Sequence, residues 1–146
     1  MNQEARTIYL IRKVQLASGN ALHERLQSVG LTASQYTAMS MLGHRGEVSS
    51  AALARKLKIT PQSMNEVIAT LEQKKLVSRE EALDNRRALL VRLTAGGRRQ
   101  LDACDEIVDG VEKEFLGCLS RKELTAMREV LLKILDNARM QAEVDA

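Results

Sequence analysis

Residues 51–76, AALARKLKITPQSMNEVIATLEQKKL, decide the fold. They read as two short helices split by a three-to-four-residue turn around residues 58–60. The first helix places Leu53, Ala54 and Leu57 on one face. The second opens with Thr60 as N-cap and Pro61 at the first helical position, where a missing N–H costs nothing because it would have no intrahelical partner. Met64, Val67, Ile68 and Leu71 then recur at helical spacing, so this stripe turns inward. The opposite face carries Gln62, Asn65, Glu66, Ala69 and Gln73, with Ser63 and Thr70 on its flank. Short amides and hydroxyls at the start of a helix can reach base edges in a major groove. Taken alone, the stretch reads equally as a helical hairpin with a solvated polar face.

The charge around it separates these readings. Residues 45–99 hold twelve basic and six acidic side chains, an excess of six, while the whole chain is only +3. The two ends together are therefore acidic. A basic middle between acidic ends is the outline of a polyanion-binding module flanked by helices with another task.

The segment after residue 76 changes period from helical to two. Val77, Arg79, Glu81 and Leu83 alternate with Ser78, Glu80 and Ala82, and Leu89, Val91 and Leu93 alternate with Leu90 and Arg92. Between them lies Asp84-Asn85-Arg86-Arg87, a turn-prone pair followed by two cations. A hairpin directly after a helix-turn-helix is a wing, and arginines at its tip are placed for an adjacent minor groove. A hairpin tip that is merely solvated normally carries mixed charge.

Outward from this centre the chain is helical. Ile8, Ile11, Val14, Ala17, Ala21, Leu22 and Leu26 form a broad apolar band within residues 4–29, closed by Gly30. Thr32 with Gln35 makes a capping box for a helix through Tyr36, Met39 and Leu42 to Gly46. Glu47 and Val48 read as a short link, and Ser49 or Ser50 caps the next helix. Beyond the wing, Thr94 caps a helix whose seam is Leu101, Cys104, Val108, Val111, Phe115 and Cys118. Ser120 and Glu123 form a second capping box, followed by Leu124, Met127, Leu131, Ile134 and Ala138, with fraying expected after Met140. Such seams exceed what a compact helix-turn-helix needs for its own core. A dimer interface is the simplest destination for the surplus.

The order LTASQYTAMSML, ALARKLKITPQSMNEVIATLE, DNRRALLVRLTAGG and two long helices resembles the multiple-antibiotic-resistance regulator (MarR) family over nearly the whole chain. The most specific parts are Leu31-Thr32 with Gln35-Tyr36, and the wing run with Arg87, Val91, Leu93, Thr94 and Gly97. The resemblance implies a mainly α fold with a small β-wing: a winged helix-turn-helix DNA-binding lobe at about 31–99, and dimerisation helices at about 4–29 and 95–140. It implies a homodimer on a pseudopalindromic operator in double-stranded DNA, mostly acting as a repressor, and relieved in many members by a small molecule or an oxidant. Carried over residue by residue, it puts Gln62, Ser63 and Asn65 at the base-reading end of the recognition helix, behind the Thr60 cap. It puts Arg86 and Arg87 at the wing, and a crevice for an effector, expected to be aromatic or phenolic, beside Tyr36, Met39 and His44. Lys56, Lys58 and Lys74 are candidates for phosphate contacts.

Three positions depart from the family pattern. Asn85 stands where an Asp usually precedes the wing arginine by two residues, with Asp84 one place earlier. Lys75 stands where Gly is frequent, which alters the exit from the recognition helix. Glu66 either accepts from cytosine N4 or lies outside the interface.

Other chemistries find little footing. Cys104 and Cys118 both fall at apolar seam positions and read as buried structural residues, against a thiol-redox regulator working through either. His23 and His44 have no metal-ligand spacing, even with Glu24 or Glu47. There is no nucleophile elbow, Walker loop or triad spacing, so neither an enzyme nor a cofactor is expected. A winged-helix adaptor that binds protein instead of DNA has no need of the basic middle or the twin arginines. With no membrane-length apolar run and no signal sequence, the expected location is the cytoplasm.

Overall fold

The computed structural model describes residues 6–81, 83 and 89–144. Its elements run α1 (Thr7–Gln27), α2 (Ala33–Arg45), β1 (Glu47–Ser49), α3 (Ser50–Leu57), α4 (Pro61–Gln73), β2 (Val77–Glu81), β3 (Leu89–Leu93), α5 (Ala95–Phe115) and α6 (Arg121–Val144). Backbone packing divides the chain after Val111 into two compact units.

In the first unit the helix boundaries follow the capping chemistry written in the chain. Thr32 Oγ1 accepts from Gln35 N at 3.2 Å while Gln35 Oε1 accepts from Thr32 N at 3.1 Å, so two backbone donors at the start of α2 are satisfied reciprocally. Ser49 caps α3, accepting from Ala52 N at 3.1 Å. Thr60 caps α4 from its side chain, accepting from Ser63 N at 3.1 Å. Three helix exits share one device. At Gly30, Lys58 and Lys75 the backbone turns left-handed, with φ of +73°, +52° and +59°. Each next residue's N–H returns to the carbonyl five residues back: Leu31 to Leu26, Ile59 to Ala54, and Leu76 to Leu71. Glycine adopts this conformation without strain, whereas a lysine there carries a steric cost. The glycine that the resemblance implies at position 75 would thus have a conformational reason.

The apolar stripes of α3 and α4 close on a common core. Leu53, Ala54, Met64, Ile68 and Leu71 are buried together with Leu26, Ala38, Met39 and Leu42 from α1 and α2, Val77 and Val91 from the sheet, and Leu101 and Cys104 from α5. The approach is closest at Gly97: a Cβ there would lie 1.9 Å from the Leu76 carbonyl oxygen. Thr94 secures the same junction. Its hydroxyl donates to Lys75 O at 2.7 Å and accepts from Gly97 N at 2.9 Å.

The strands form one antiparallel sheet in the order β1-β3-β2. Glu47 and Val48, expected to be a mere link, belong to a strand that runs to Ser49: Val48 faces Val91, with Glu47 opposite Arg92 and Ser49 opposite Leu90. A three-residue strand is too short to register as alternation, and only its partner reveals it. β2 ends at Glu81 instead of reaching Leu83, which is fully exposed, and Val77 is its single buried residue. The tip residues Asp84, Asn85, Arg86 and Arg87 lie outside the described residues.

The second unit begins at the end of α5. That helix stops at Phe115 and residues 116–118 turn, which takes Cys118 off the seam and leaves it exposed. The expectation of a buried Cys118 is therefore corrected: seam spacing has meaning only while the helix lasts. The capping box of α6 is present, with Ser120 N donating to Glu123 Oε2 at 2.8 Å and Glu123 N donating to Ser120 Oγ at 3.2 Å. Those contacts hold the Glu123 carboxyl below its ordinary pKa. α6 stays helical to Val144, past Met140 where fraying was expected, and contains no buried residue. No helix among the described residues is long and apolar enough to cross a membrane.

Candidate nucleic-acid interface

The recognition face is built by the turn that joins α3 to α4. Because Thr60 uses its hydroxyl to cap and Pro61 fixes the first turn, Met64 is directed into the core and Gln62, Ser63 and Asn65 are left on the exposed face. None of the three is needed for core packing. Thr60 Oγ1 also donates to Ser63 Oγ at 2.9 Å, which ties the cap to one candidate reader. Asn65 Oδ1 accepts from Ser50 Oγ at 3.0 Å, a bond from the start of α3 to the start of α4. Glu66 is exposed one residue further on.

Cations surround this face unevenly. Lys56 and Lys58 are exposed at the end of α3 and in the turn. Lys74, also exposed, donates its ammonium to the Gly30 carbonyl and so bridges the exit of α4 to the exit of α1. Two arginines counted in the basic excess are internally paired. Arg79 donates from Nε and Nη2 to the two Glu72 oxygens at 3.1 and 2.8 Å, a two-pronged contact that fastens β2 to the last turn of α4. The pair holds the Glu72 carboxyl below its usual range and the guanidinium above its own. Arg92 pairs with Glu80 across the β2–β3 ladder at 2.6 Å. The first pair stitches the wing to the recognition helix and the second joins its two strands, and charges so paired contribute little net field. Sequence reading missed the roles of Arg79, Glu72 and Ser50. A helix-spacing rule cannot pair residues 72 and 79 because the chain reverses at Lys75 between them.

The candidate effector residues are placed differently from one another. Tyr36 is half-buried and its hydroxyl donates to Asp105 Oδ1 at 2.7 Å, linking α2 to α5. Burial, this hydrogen bond and the Asp105 charge all push the phenol above its ordinary pKa. Met39 has no exposed surface and belongs to the core. His44 is exposed near the far end of α2. Beside Asp105, Cys104 is fully buried, and desolvation followed by the Asp105 charge raises its thiol pKa. A thiol so held is disfavoured as a nucleophile. Among the described residues, no group of three His, Cys, Asp or Glu side chains is arranged to hold a metal ion.

A family model described as "MarR family" matches residues 29–88, the span from the exit of α1 through the wing tip. The transcriptional regulator HosA of Escherichia coli is 32% identical over 106 residues, covering 73% of this chain and 78% of its own. The HTH-type transcriptional repressor Rv2887 of Mycobacterium tuberculosis is 29% identical over 126 residues, 86% of this chain and 91% of that one. The crystal structure of Rv2887 in complex with DNA superposes with a TM-score of 0.78 at 28% identity, covering 90% of this chain and 98% of that one. Bordetella bronchiseptica BpsR, a protein whose DNA binding is regulated by 6-hydroxynicotinic acid, shares the fold with a TM-score of 0.81 at 23% identity over 93% of this chain and 96% of that one. The six-helix order, the three-stranded antiparallel sheet and these likenesses together make the chain a winged-helix member of the MarR family of transcriptional regulators.

Proposed function

We propose that the protein is a cytoplasmic homodimeric repressor that binds a pseudopalindromic operator in double-stranded DNA and releases it when a small aromatic or phenolic ligand binds. The observation that carries this reading is the exposed start of α4, where Gln62, Ser63 and Asn65 stand free of the core on a helix whose opposite face buries Met64, Ile68 and Leu71. Each α4 enters a major groove, and the two half-sites lie about 10 bp apart. Arg86 and Arg87 reach the flanking minor grooves, while Lys56, Lys58 and Lys74 contact phosphates. The DNA complex of Rv2887 supports the partner class. Dimerisation is supported by the exposed apolar faces of α1 and α6, which include Ile8, Ile11, Val14, Leu131 and Ile134.

Operator binding demands a fixed distance between the two recognition helices. A ligand that binds another spacing more tightly by about 3 kcal/mol lowers DNA affinity roughly a hundredfold. The behaviour of BpsR towards a hydroxylated aromatic acid supports this ligand class. The test is fluorescence anisotropy of the protein with its own upstream DNA at several salt concentrations. A steep salt dependence is expected, made shallower by Arg87→Ala, whereas Asn65→Ala relaxes discrimination at one or two base pairs. Absence of salt-dependent binding to that DNA overturns the reading. A thermal-shift screen of phenolic acids tests the effector, since a bound ligand raises the melting temperature by mass action.

A further inference from the structure

Two serines open α3, and only one is needed there. Ser49 caps the helix through Ala52 N, so Ser50, the first helical residue, keeps its hydroxyl for another use. That hydroxyl donates to Asn65 Oδ1 at 3.0 Å, across fifteen residues of chain. The bond joins two rigid supports, because Leu53 and Ala54 of α3 and Met64 and Ile68 of α4 are buried in one core. It is not a chance meeting of mobile loops.

A primary amide has two faces: its oxygen accepts and its NH2 donates. An unrestrained asparagine can turn either towards DNA, and with both it reads adenine through N6 and N7 together. Ser50 engages one lone pair of the oxygen and holds that end towards α3, which leaves the NH2 as the end of Asn65 without a partner among the described residues. The neighbouring reader is set with the same polarity. Thr60 Oγ1 donates to Ser63 Oγ at 2.9 Å, occupying an acceptor there and leaving the Ser63 hydroxyl proton for an outside partner.

We propose that Ser50 is a positioning residue for base reading: it fixes the Asn65 amide so that Asn65 presents its NH2 donors to the DNA. The complementary base edges are acceptors, namely N7 and O6 of guanine, N7 of adenine and O4 of thymine, and not the N4 amino group of cytosine. This inference rests on the DNA-binding reading above and adds which edge the helix selects and what sets that choice.

The test uses the intact protein and its upstream operator, with each base pair under α4 substituted in turn, including 7-deazapurines that lack the N7 acceptor. Asn65→Ala, compared with the unaltered protein, locates the base pair that Asn65 reads. At that pair Ser50→Ala is expected to reduce discrimination about fivefold, the order of one hydrogen bond, while discrimination at the other pairs is kept. Ser50→Thr, which retains a hydroxyl, restores it. In Ser50→Ala/Asn65→Ala the two effects do not add, because Ser50 acts only through Asn65. In the free protein, Ser50→Ala should shift the Asn65 side-chain amide pair in a proton–nitrogen correlation spectrum while the backbone pattern stays.

If Asn65→Ala loses discrimination and Ser50→Ala does not, the positioning role is wrong and DNA binding stands. If Asn65→Ala changes nothing although the protein still binds with salt dependence, Asn65 is not a reader and the inference falls alone. If no duplex is bound at all, both fall together.

Discussion

Helices α4 and α6 carry the same kind of apolar spacing and meet opposite fates. In α4, Met64, Ile68 and Leu71 are buried within the chain's own core. In α6, Leu131 and Ile134 remain 44% and 46% exposed, and no residue of the helix is buried. Spacing declares which face needs cover, but not which molecule supplies it. α4 has its cover from α2, α3 and β2 within the common core, so its polar face is held still for a partner. α6, nearly twice as long, leaves its apolar face for a second copy of the chain under the reading proposed above. Under that reading the lobe that meets DNA and the helix that pairs depend on different packing, and substitutions can separate them.

The largest expected effect breaks the lobe at its tightest point. Gly97→Ala would force a methyl against the Leu76 carbonyl and should destabilise the lobe by on the order of 3 kcal/mol. Chemical denaturation followed by circular dichroism measures this loss, and DNA affinity should fall with it. The reverse separation comes from α6. Replacing Leu131 and Ile134 together by Glu removes surface already exposed in the single chain, so helicity should survive. Self-association should weaken by about 2 kcal/mol or more per protomer, since fully burying one such side chain is worth about 1.5–3 kcal/mol. Sedimentation velocity checks it: a variant that still sediments as a dimer removes α6 from the interface.

A smaller effect sits at the α2–α5 contact. Tyr36→Phe deletes the hydroxyl bonded to Asp105 and should cost about 1 kcal/mol at neutral pH. It should also change the alkaline limb of the stability curve. The folded chain holds the Tyr36 proton more tightly than the unfolded chain, chiefly through burial and then through Asp105. That stability is whole below the unfolded tyrosine pKa of about 10 and is lost as pH climbs through the higher folded value. The Phe variant should show a flatter decline in melting temperature above about pH 10. An effect of similar size is a gain. Lys75→Gly relieves a left-handed lysine at the exit of α4 and should stabilise the lobe by about 1 kcal/mol, with helical content unchanged.

How far each region was legible follows from how local its signals are. The α2, α3, α4 and α6 starts were readable because Thr32, Ser49, Thr60 and Ser120 act within three residues of themselves. The core stripe of α4 was readable because 3.6-residue periodicity survives in thirteen residues. Strand β1 was not, since three residues carry no period and its pairing with β3 spans more than forty positions. The site was legible as residue types at the start of α4, not as contacts. Ser50 to Asn65, Glu72 to Arg79 and Tyr36 to Asp105 each cross a chain reversal, and nothing in local spacing marks them. Cys118 was misplaced for a related reason: a seam projected past Phe115 assumes a helix that has already ended.

The division of labour between α4 and α6 is tested most directly by the stoichiometry and affinity of the complex on full and half operators. Sedimentation equilibrium of the intact protein with a duplex carrying one complete pseudopalindrome should give two chains per duplex. Affinity for a duplex with a single half-site should be weaker by about a hundredfold or more, because one recognition helix of the pair then has no specific groove. One chain per duplex, with equal affinity for the full and half sites, would contradict it.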